Sequence, residues 1–534
     1  MKEDVMELDT AVIGGGITGL YACLQLRKRL GPSHKIALFE SSTRLGGRIE
    51  TVEMDGFLAE YGPMRFEKKA QPLLMNLIQE LELDIVDFCP YRAATDPESL
   101  FQLTEGEDLW TTTTGPSYNS YERMPFDTLE LLTLGILRIL QESNGDLNNP
   151  NDPLHWQWWK GLDESDYNRI RTTKLFREKP LHTLGLWNAL SMVLSHRALT
   201  KILHYGTFYH VIHHNPNAAE WIIFWLRGLH PDERLVGIKQ GSEALITQLQ
   251  KKLSSPEFPP IPIHLQHSLI SLKQHNNKQH NNKQHLELQL STPSGETEGS
   301  SITVHCRDVV LALPQCPLKK LSQFFPGPIR MLINSVIPIP LFKCFFVTKN
   351  PWWDQQTPSQ TRASSVPSRE IHYYYREEGD QKLGMVMVYG DFPSLNYWRH
   401  FVARSPQLSA EINLNEQLRE CFDLYLRSSS LPSFIQNDSM NVIMGIKDKD
   451  DLTCFGIRDW SYGPFKAGCH VWKPMIKVKD AIATLEGFSL TGAQESTKNL
   501  HICGEAYSDF QGFIEGGLRN ALEVVDQISI SKSK

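Results

Sequence analysis

A glycine-rich turn near the start of the chain has the spacing of a phosphate-binding loop. Residues 14–19 read Gly-Gly-Gly-Ile-Thr-Gly, which fits the pattern G-x-G-x-x-G. In such a turn Gly14 permits the tight bend, Gly16 lets the backbone approach a pyrophosphate, and Gly19 lets a helix pack closely on a strand. Glu40 follows about 20 residues later, where an acid meets a ribose hydroxyl. These residues predict dinucleotide binding, and the alternative is a glycine-rich turn in another kind of α/β protein.

Strand and helix patterns surround this turn in the order that would position it. The apolar run over residues 8–13 predicts a buried parallel strand that ends at the turn. Apolar residues then recur at helical spacing over residues 20–30. The helix therefore directs its first N–H groups and its positive dipole end toward the phosphates, and we expect Ile17 and Thr18 to contact the cofactor. A second apolar run over residues 35–39 ends at Glu40.

Two arginines and two glycines follow the ribose-binding acid directly. Residues 43–48 read Thr-Arg-Leu-Gly-Gly-Arg, a composition that a nicotinamide enzyme does not need. Arg44 and Arg48 can neutralise phosphates, and glycines such as Gly47 let the backbone approach an isoalloxazine ring. The segment resembles the R-x-G-G-R segment of the flavin amine oxidase superfamily, and the resemblance extends over nearly the whole chain. It implies FAD as the cofactor.

The loop at residues 60–66 (Glu-Tyr-Gly-Pro-Met-Arg-Phe) is similar to a loop beside the flavin in the L-amino acid oxidases. In that family the arginine, here Arg65, grips the substrate carboxylate, and we expect Met64 to lie at the cofactor. An arginine suits this task because its planar fork makes two parallel hydrogen bonds and keeps its charge. Amine and polyamine oxidases lack this arginine. The alternative is that Arg65 pairs with a cofactor phosphate or a structural acid.

Two further residues carry catalytic roles that the resemblance implies. Lys343 lies inside an otherwise apolar run, residues 341–347, where a lysine is costly to bury without partners. The family has a lysine here that holds a water against flavin N5 and influences the reaction with oxygen. Tyr389 ends the apolar run 385–389, and the resemblance implies a hydrogen bond from its hydroxyl to the substrate carboxylate. Simple packing of the tyrosine is the alternative.

The C-terminal part of the chain is similar to the flavin-facing segments of the same superfamily. The resemblance implies that Gly504 and Glu505 meet phosphate and ribityl oxygens, and that Phe513 forms an aromatic wall of the substrate site, with Ile514 beside it at the cofactor. We expect Leu269 to complete the cofactor contacts.

Cys469 and His470 decide how the flavin and the substrate are held. Cys469 falls where monoamine oxidases carry the cysteine that bonds covalently to the flavin, whereas amino acid oxidases bind FAD noncovalently. We expect noncovalent FAD, with Cys469 serving as a small packing residue. His470 lies where amine oxidases have a wall tyrosine, so we expect it to contact a polar substrate side chain.

Composition narrows the class of protein. The 54 Lys and Arg residues against 61 Asp and Glu residues give a net charge of −7, which argues against nucleic acid as a partner. A polar, acidic N-terminus and the lack of any apolar run of about 20 residues predict neither a signal peptide nor a membrane span. Nine scattered cysteines without a C-x-x-C pair favour a reduced, cytoplasmic protein. A homodimer is compatible with these features.

A chain of 534 residues is too long for one compact core. We predict an α/β fold that combines a Rossmann-like FAD-binding domain of the glutathione-reductase type with a mixed-sheet substrate domain and a helical subdomain. The predicted segments are 8–66, 232–328 and 496–534 for the cofactor domain, 67–109 and 331–484 for the substrate domain, and 110–230 for the helical subdomain.

One segment within the cofactor domain has low complexity. Residues 273–285 repeat every five residues as KQHNNKQHNNKQH, a composition that cannot bury a core. We expect residues 273–301 to be a disordered insertion or a loose hairpin. The spacing of the three histidines places them on no shared face of a helix or strand, so a linker is favoured over a metal site.

Together these features predict an enzyme that oxidatively deaminates an L-amino acid. Hydride passes to flavin N5, and the products are the 2-oxo acid, ammonia and, from molecular oxygen, hydrogen peroxide. Three alternatives remain: a flavin monooxygenase of the tryptophan 2-monooxygenase type, an amine or polyamine oxidase, and a noncatalytic flavoprotein that binds a ligand or partner.

Overall fold

The computed structural model describes residues 5–88, 119–122, 128–143, 161–205, 213–228, 235–256, 260–276, 284–292, 301–349, 351, 370–379, 381–392, 395–396, 452–490 and 498–533. In chain order the strands are β1 (Val5–Ile13), β2 (Ile36–Phe39), β3 (Thr51–Met54), β4 (Phe57–Glu60), β5 (Phe66–Glu67), β6 (Ile85–Asp87), β7 (Leu175–Phe176), β8 (Lys179–Pro180), β9 (Leu235–Ile238), β10 (Ile263–His264), β11 (Ser268–Asn276), β12 (Gln284–Ser291), β13 (Ser301–Leu311), β14 (Val336–Ile339), β15 (Leu341–Thr348), β16 (Glu370–Glu378), β17 (Gln381–Asp391), β18 (Leu452–Asp459), β19 (Cys469–Trp472) and β20 (Leu500–Ile502). The α-helices are α1 (Ile17–Leu30), α2 (Pro72–Glu80), α3 (Thr128–Gln141), α4 (Glu164–Thr172), α5 (Leu186–Val193), α6 (His196–Tyr205), α7 (Ala218–Gly228), α8 (Glu243–Leu253), α9 (Gln315–Lys320), α10 (Gly327–Ile333), α11 (Val478–Leu485) and α12 (Ile514–Ser533).

A parallel sheet brings together segments from both ends of the chain. Strand β1 pairs in parallel with β2 on one side and with β13 on the other, and β10 continues the sheet beyond β2. The far edge of β13 pairs with β20 in parallel near its carboxyl end. The carboxyl ends of β1, β2, β13 and β20 therefore meet at one edge of the sheet, the edge at which ligands bind in open α/β folds.

Both faces of this sheet are covered, which explains the apolar run at its centre. Val12 packs into a core formed with α1, α2, α8 and α12, whereas Ala11 and Ile13 pack into a second core with α9, α10 and α11. Successive side chains of a strand point to opposite faces. A strand buried on both faces is accordingly apolar throughout rather than alternating.

The predicted strand–turn–helix–strand unit is confirmed at the start of the chain. Strand β1 ends at the glycine turn, α1 begins at Ile17, and β2 ends one residue before Glu40. Strand β1 extends three residues further toward the N-terminus than the apolar run indicated, because Val5 to Leu8 continue the parallel pairing with β13.

The other described elements include a four-stranded antiparallel sheet, a helical bundle and several sheets of two or three short strands. The four-stranded sheet has the order β16-β17-β15-β18, and every pairing in it is antiparallel, so the prediction of a mixed substrate sheet is wrong for the described strands. Helices α3 to α7 enclose an apolar core of their own. The division into three domains stays a prediction, and parts of its segments, such as residues 89–118, lie outside the described residues.

The low-complexity segment is more ordered than the sequence suggested. Strands β11 and β12 form an antiparallel hairpin that is joined to β13, and this hairpin includes residues 273–276 and 284–291 of the predicted insertion. Leu286, Leu288 and Leu290 are fully buried, so their burial stabilises a segment whose neighbouring repeat is polar. The register of the hairpin pairs His275 on β11 with His285 on β12, a pairing between two strands that the spacing along one strand does not reveal. His280 lies outside the described residues.

A metal-binding cluster and a membrane-spanning helix are both absent from the part of the chain that the structure describes. It contains no group of three or more His, Cys, Asp or Glu side chains arranged to hold a metal ion. Within the same residues, no helix combines the length and the apolar character that a bilayer crossing requires.

The glycine turn allows a direct test of helix–strand packing. A Cβ atom on Gly19 would lie 2.0 Å from the carbonyl oxygen of Gly14, whereas a Cβ on Gly16 would meet nothing within 4 Å. We expect Gly19→Ala to lower the stability of the flavin-free protein by about 1–3 kcal/mol, the usual cost of overpacking. Gly16→Ala is the matched control and should leave the thermal unfolding midpoint close to that of the wild type. Equal midpoints for the two variants would contradict this packing.

Candidate functional site

One large cavity of about 680 Å³ opens at the carboxyl edge of the parallel sheet. It is bordered by the glycine turn, the loop before β5, the strand pair β15 and β17, helix α7 and the start of α12. The predicted site residues that line it are Gly14, Gly16, Ile17, Thr18, Glu40, Gly47, Arg48, Met64, Arg65, Leu269, Lys343, Tyr389, Cys469, His470, Gly504, Glu505, Phe513 and Ile514. The predicted site residues that do not line it are Gly19 and Arg44.

The glycine turn fits a dinucleotide. Gly14 adopts a φ of 110°, which a residue with a side chain rarely tolerates. The space above Gly16 is open on the side where a Cβ would stand, so a pyrophosphate could approach the backbone there. Helix α1 begins at this point without a side-chain cap, and its first N–H groups remain available to an anion.

Glu40 is held in place at the end of β2. Its carboxylate accepts hydrogen bonds from the backbone N–H of Gly15 at 2.7 Å and of Ser42 at 2.8 Å. The side chain lines the cavity beside the glycine turn. This position agrees with the predicted ribose contact, which stays a prediction.

The two arginines after Glu40 have different environments. The Arg44 guanidinium donates to the backbone carbonyls of Leu45, Gly47 and Ile49 at 2.6–3.0 Å. It therefore stabilises its own loop, and its position away from the cavity lining gives no support to the predicted phosphate contact. Arg48 does line the cavity, where it donates to the carbonyl of Gly468 at 2.7 Å.

A buried ionic cluster centres on Glu505. Its carboxylate accepts hydrogen bonds from Arg48 at 2.9 Å, from the backbone N–H of His470 at 2.9 Å and from the backbone N–H of Gly512 at 2.8 Å. Burial alone would raise the pKa of Glu505, but Arg48 and His470 hold the pKa at about 2. The carboxylate is therefore ionised, and it joins the loop of Arg48, the strand of His470 and the turn at Gly512.

His470 faces this cluster in the structure. Its Nδ1 lies 3.0 Å from Glu505, the side chain is completely buried, and burial lowers its pKa. Its Nε2 atom has no hydrogen-bond partner among the described residues. The imidazole therefore already has a protein partner, and its predicted contact with a substrate side chain stays a prediction.

Lys343 is buried in the middle of β15 and has two backbone partners. Its Nζ donates to the carbonyls of Glu60 at 2.9 Å and of Gly62 at 2.5 Å. Tyr389 is its cross-strand neighbour on β17, with Nζ 5.3 Å from the centre of the tyrosine ring. These contacts explain how a lysine is accommodated in an apolar strand. They also tie the strand to the loop that ends in Arg65.

The loop that carries Arg65 is fixed from the opposite direction as well. The Ser242 hydroxyl donates to the carbonyl of Pro63 at 2.8 Å, and its backbone N–H donates to the Glu60 carboxylate at 2.7 Å. Burial raises the pKa of Glu60 to about 7, although the hydrogen bonds from Ser242 and Thr51 act against this rise. The Arg65 guanidinium lies 5.7 Å from the centre of the Phe88 ring, and the residue borders the cavity.

An aromatic wall lies on the cavity beside the start of α12. Phe513 stacks on Phe510 with ring centres 5.1 Å apart, and Phe224 of α7 approaches Phe513 at 5.4 Å. Phe224 and the neighbouring Trp221 were missed in the sequence. The available signal was the spacing of Glu220, Phe224 and Arg227, which places them on one face of a helix; only the fold reveals what that face contacts.

Cys469 lines the cavity as a thiol. It is free of disulfide bonding. Burial, with a further contribution from Glu505, raises the pKa of its thiol. The reactive thiolate is therefore disfavoured at this position in the structure.

Comparison with known proteins identifies the family. A model of the family described as flavin containing amine oxidoreductase matches residues 17–529. Achacin of Lissachatina fulica is 24% identical over 397 residues, which cover 72% of this chain and 69% of achacin. An L-amino-acid oxidase of Mus musculus is 25% identical over 199 residues, covering 36% of this chain and 25% of that protein.

Two further similarities are local or concern the fold. A coproporphyrinogen III oxidase of Bacillus subtilis (strain 168) is 40% identical over 78 residues, a match that spans 14% of this chain and 16% of the relative's length. A solved structure of a putrescine oxidase triple mutant aligns over 98% of this chain and 99% of its own, with a TM-score of 0.51 and 15% identity. Because the family model matches nearly the whole chain, the protein belongs to the flavin-containing amine oxidoreductase family, which implies a flavin cofactor.

Proposed function

We propose that this protein oxidises an L-amino acid with noncovalently bound FAD, molecular oxygen serving as the electron acceptor. The observation that carries the proposal is the position of Arg65, on the cavity wall and in a loop that Lys343 and Ser242 fix from two directions. A loop whose backbone is already held loses little freedom when its arginine binds a carboxylate, so this loop is suited to recognising an amino acid.

The open space at Gly16, the start of α1 and the Arg48–Glu505 cluster fit the pyrophosphate and ribityl parts of FAD. FAD supplies a hydride acceptor for the substrate Cα–H. Arg65 and Tyr389 bind the substrate carboxylate and thereby orient the Cα–H bond, while the Phe513 wall excludes water from the side-chain end of the cavity. The imino acid product then hydrolyses to the 2-oxo acid and ammonia, and oxygen is reduced to hydrogen peroxide.

Relatives and fold neighbours leave the substrate open between amino acids and amines, since an L-amino-acid oxidase and a putrescine oxidase both resemble the chain. Among the alternatives, a monooxygenase of the tryptophan 2-monooxygenase type would release an amide instead of a 2-oxo acid. The cytoplasmic location and the homodimer stay predictions.

The proposed binding of the substrate carboxylate by Arg65 and Tyr389 predicts which compounds reduce the flavin. In anaerobic titrations, common L-amino acids should bleach the flavin absorbance, whereas the amines that lack only the carboxylate should not. Arg65→Ala should retain FAD and lose at least about 100-fold in kcat/KM, because a bidentate, charge-assisted contact is removed. The measurement is steady-state oxygen consumption combined with identification of the product.

Arg376→Ala provides the matched control for this experiment. Arg376 lies on β16 and donates to the carbonyl of Asp55, and it does not line the cavity. Its removal should leave kcat/KM close to the wild-type value. Near-wild-type kinetics for Arg65→Ala, or reduction by amines alone, would overturn the assignment and favour an amine oxidase.

The role proposed for Lys343 leads to a separate prediction for the rate at which oxygen reoxidises the reduced flavin. Lys343→Met should keep the fold and the flavin but slow the reaction of the reduced enzyme with oxygen; reduction by substrate should slow by a smaller factor, because Ser242 still holds the Arg65 loop. Stopped-flow absorbance measures both rates independently. Lys382→Met, which removes an exposed lysine paired with Glu377 on the same sheet, is the control. An unchanged oxygen reaction in Lys343→Met would contradict the proposed role.

Whether the flavin is bound covalently or noncovalently can be measured directly. Because its environment raises the pKa of the Cys469 thiol and disfavours the reactive thiolate, we expect acid precipitation to release the flavin into the supernatant. Cys469→Ser should then bind as much flavin as the wild type. Flavin that stays with the wild-type pellet and is released from Cys469→Ser would instead demonstrate a covalent bond.

A further inference from the structure

A second ionic cluster adjoins the aromatic wall and joins the helical bundle to the start of α12. Its centre is Asp509. Arg519 donates to the Asp509 carboxylate at 2.9 Å, and Arg227 donates to the Asp509 carboxylate at 3.4 Å and to its backbone carbonyl at 3.1 Å. Arg171 also donates to that carbonyl, at 3.4 Å. Three cations from three helices, α4, α7 and α12, therefore converge on one residue.

Each arginine is also held by a second acid. Arg171 makes a two-point contact with Glu220 at 2.8 and 3.0 Å, and Arg227 makes a two-point contact with Glu164, with both distances at 2.8 Å. The Arg171 and Arg227 side chains are only 9% and 5% exposed. Buried charges of this kind are tolerated when they are fully paired, and removal of one partner is strongly unfavourable.

The pairing keeps Asp509 ionised. Burial would raise the pKa of its carboxyl, but Arg519, Arg227 and Arg171 hold the pKa below the ordinary value. Two-point arginine contacts are directional as well as strong. The cluster therefore fixes the backbone at Asp509 in position as well as neutralising its charge.

Phe510, the residue after Asp509, connects the cluster to the cavity through ring contacts. The Arg227 and Arg519 guanidinium groups lie over the Phe510 ring, at 5.5 and 5.8 Å from its centre. Phe510 is buried and stacks on Phe513, with the two ring planes 13° apart. Phe513 reaches the cavity, and Phe224 of α7 contacts both rings. A continuous set of contacts thus runs from Asp509 to the cavity wall.

We propose that Asp509 and its three arginines form a positioning cluster that sets the Phe510–Phe513 stack, and with it the affinity of the site for the apolar side chain of a substrate. The inference rests on the proposed function, because it requires an amino acid to bind in this cavity. The three arginines do not line the cavity; Asp509 borders it and, in this proposal, acts through Phe510 rather than by contact with the substrate. The cluster acts on the side-chain end of the site, and the carboxylate end depends on Arg65.

The test compares two ligands that cannot be oxidised because they carry no amine. Propanoate presents a carboxylate alone, and 3-phenylpropanoate adds a ring for the aromatic wall. Each is titrated into the FAD-containing enzyme, and binding is followed by the change in flavin absorbance. The ratio of the two dissociation constants isolates the contribution of the wall, since the carboxylate contribution cancels.

We expect the wild type to prefer 3-phenylpropanoate. Asp509→Asn should reduce that preference by about two- to tenfold, the value of an aromatic pair, while the dissociation constant for propanoate changes less than about twofold. Glu142→Gln is the control, because it removes an acid from the Arg177 ion pair of the same bundle, where both side chains are largely exposed. It should leave both constants unchanged.

Arg519→Gln keeps the test decisive if Asp509→Asn does not fold or loses its flavin. This side chain is 24% exposed, so its loss is easier to tolerate, and it should lower the same ratio. An unchanged ratio in a folded variant overturns the inference, as does a wild-type ratio near one. Failure of the proposed function has a different result: the wild type then binds neither carboxylate, and no L-amino acid reduces it.

Discussion

The Glu505 carboxylate, ionised in a buried position, is the interaction on which the cofactor edge depends. It binds Arg48 from the loop after β2, the His470 backbone and imidazole of β19, and the Gly512 backbone before α12. A charge removed from water is stable only when such partners are complete. The loop of Arg48, strand β19 and the segment from Glu505 to Gly512 are therefore constrained to one arrangement at the carboxyl ends of the parallel strands.

Buried charges with complete partners also fix the segments on the substrate side of the cavity. The Lys343 ammonium is buried within an apolar strand, and its hydrogen bonds to Glu60 and Gly62 hold the loop that ends at Arg65. Around Asp509, three arginines join the helical bundle to α12. Lys343, Arg171 and Arg227 thus each bind backbone or carboxylate partners from a different segment of the chain. Such pairs add specificity of arrangement more than stability.

Sequence reasoning predicted the secondary structure correctly where residue type and local spacing point to one geometry, and it could not choose between partners where a side chain had two available. The strand, turn and helix of residues 5–30 follow from an apolar run and a glycine spacing that only this geometry satisfies. Arg44 and Arg48 belong to one motif and have the same side chain. The carbonyls of its own loop bind Arg44, whereas Arg48 extends to Glu505. The repeat at 273–285 indicated disorder, yet the buried leucines of β12 extend the order into it.

The sequence by itself predicted the strand–turn–helix–strand unit, the family resemblance and a set of site residues most of which line one cavity, because each depends on residue type and short spacing. Only the tertiary structure decided that α7 contributes Phe224 to that cavity, that His470 faces Glu505, and that Lys343 binds the loop before Arg65. The physical reason is that partner choice for a buried charge or ring depends on which groups the fold brings within about 3 to 6 Å, and no local pattern encodes that distance.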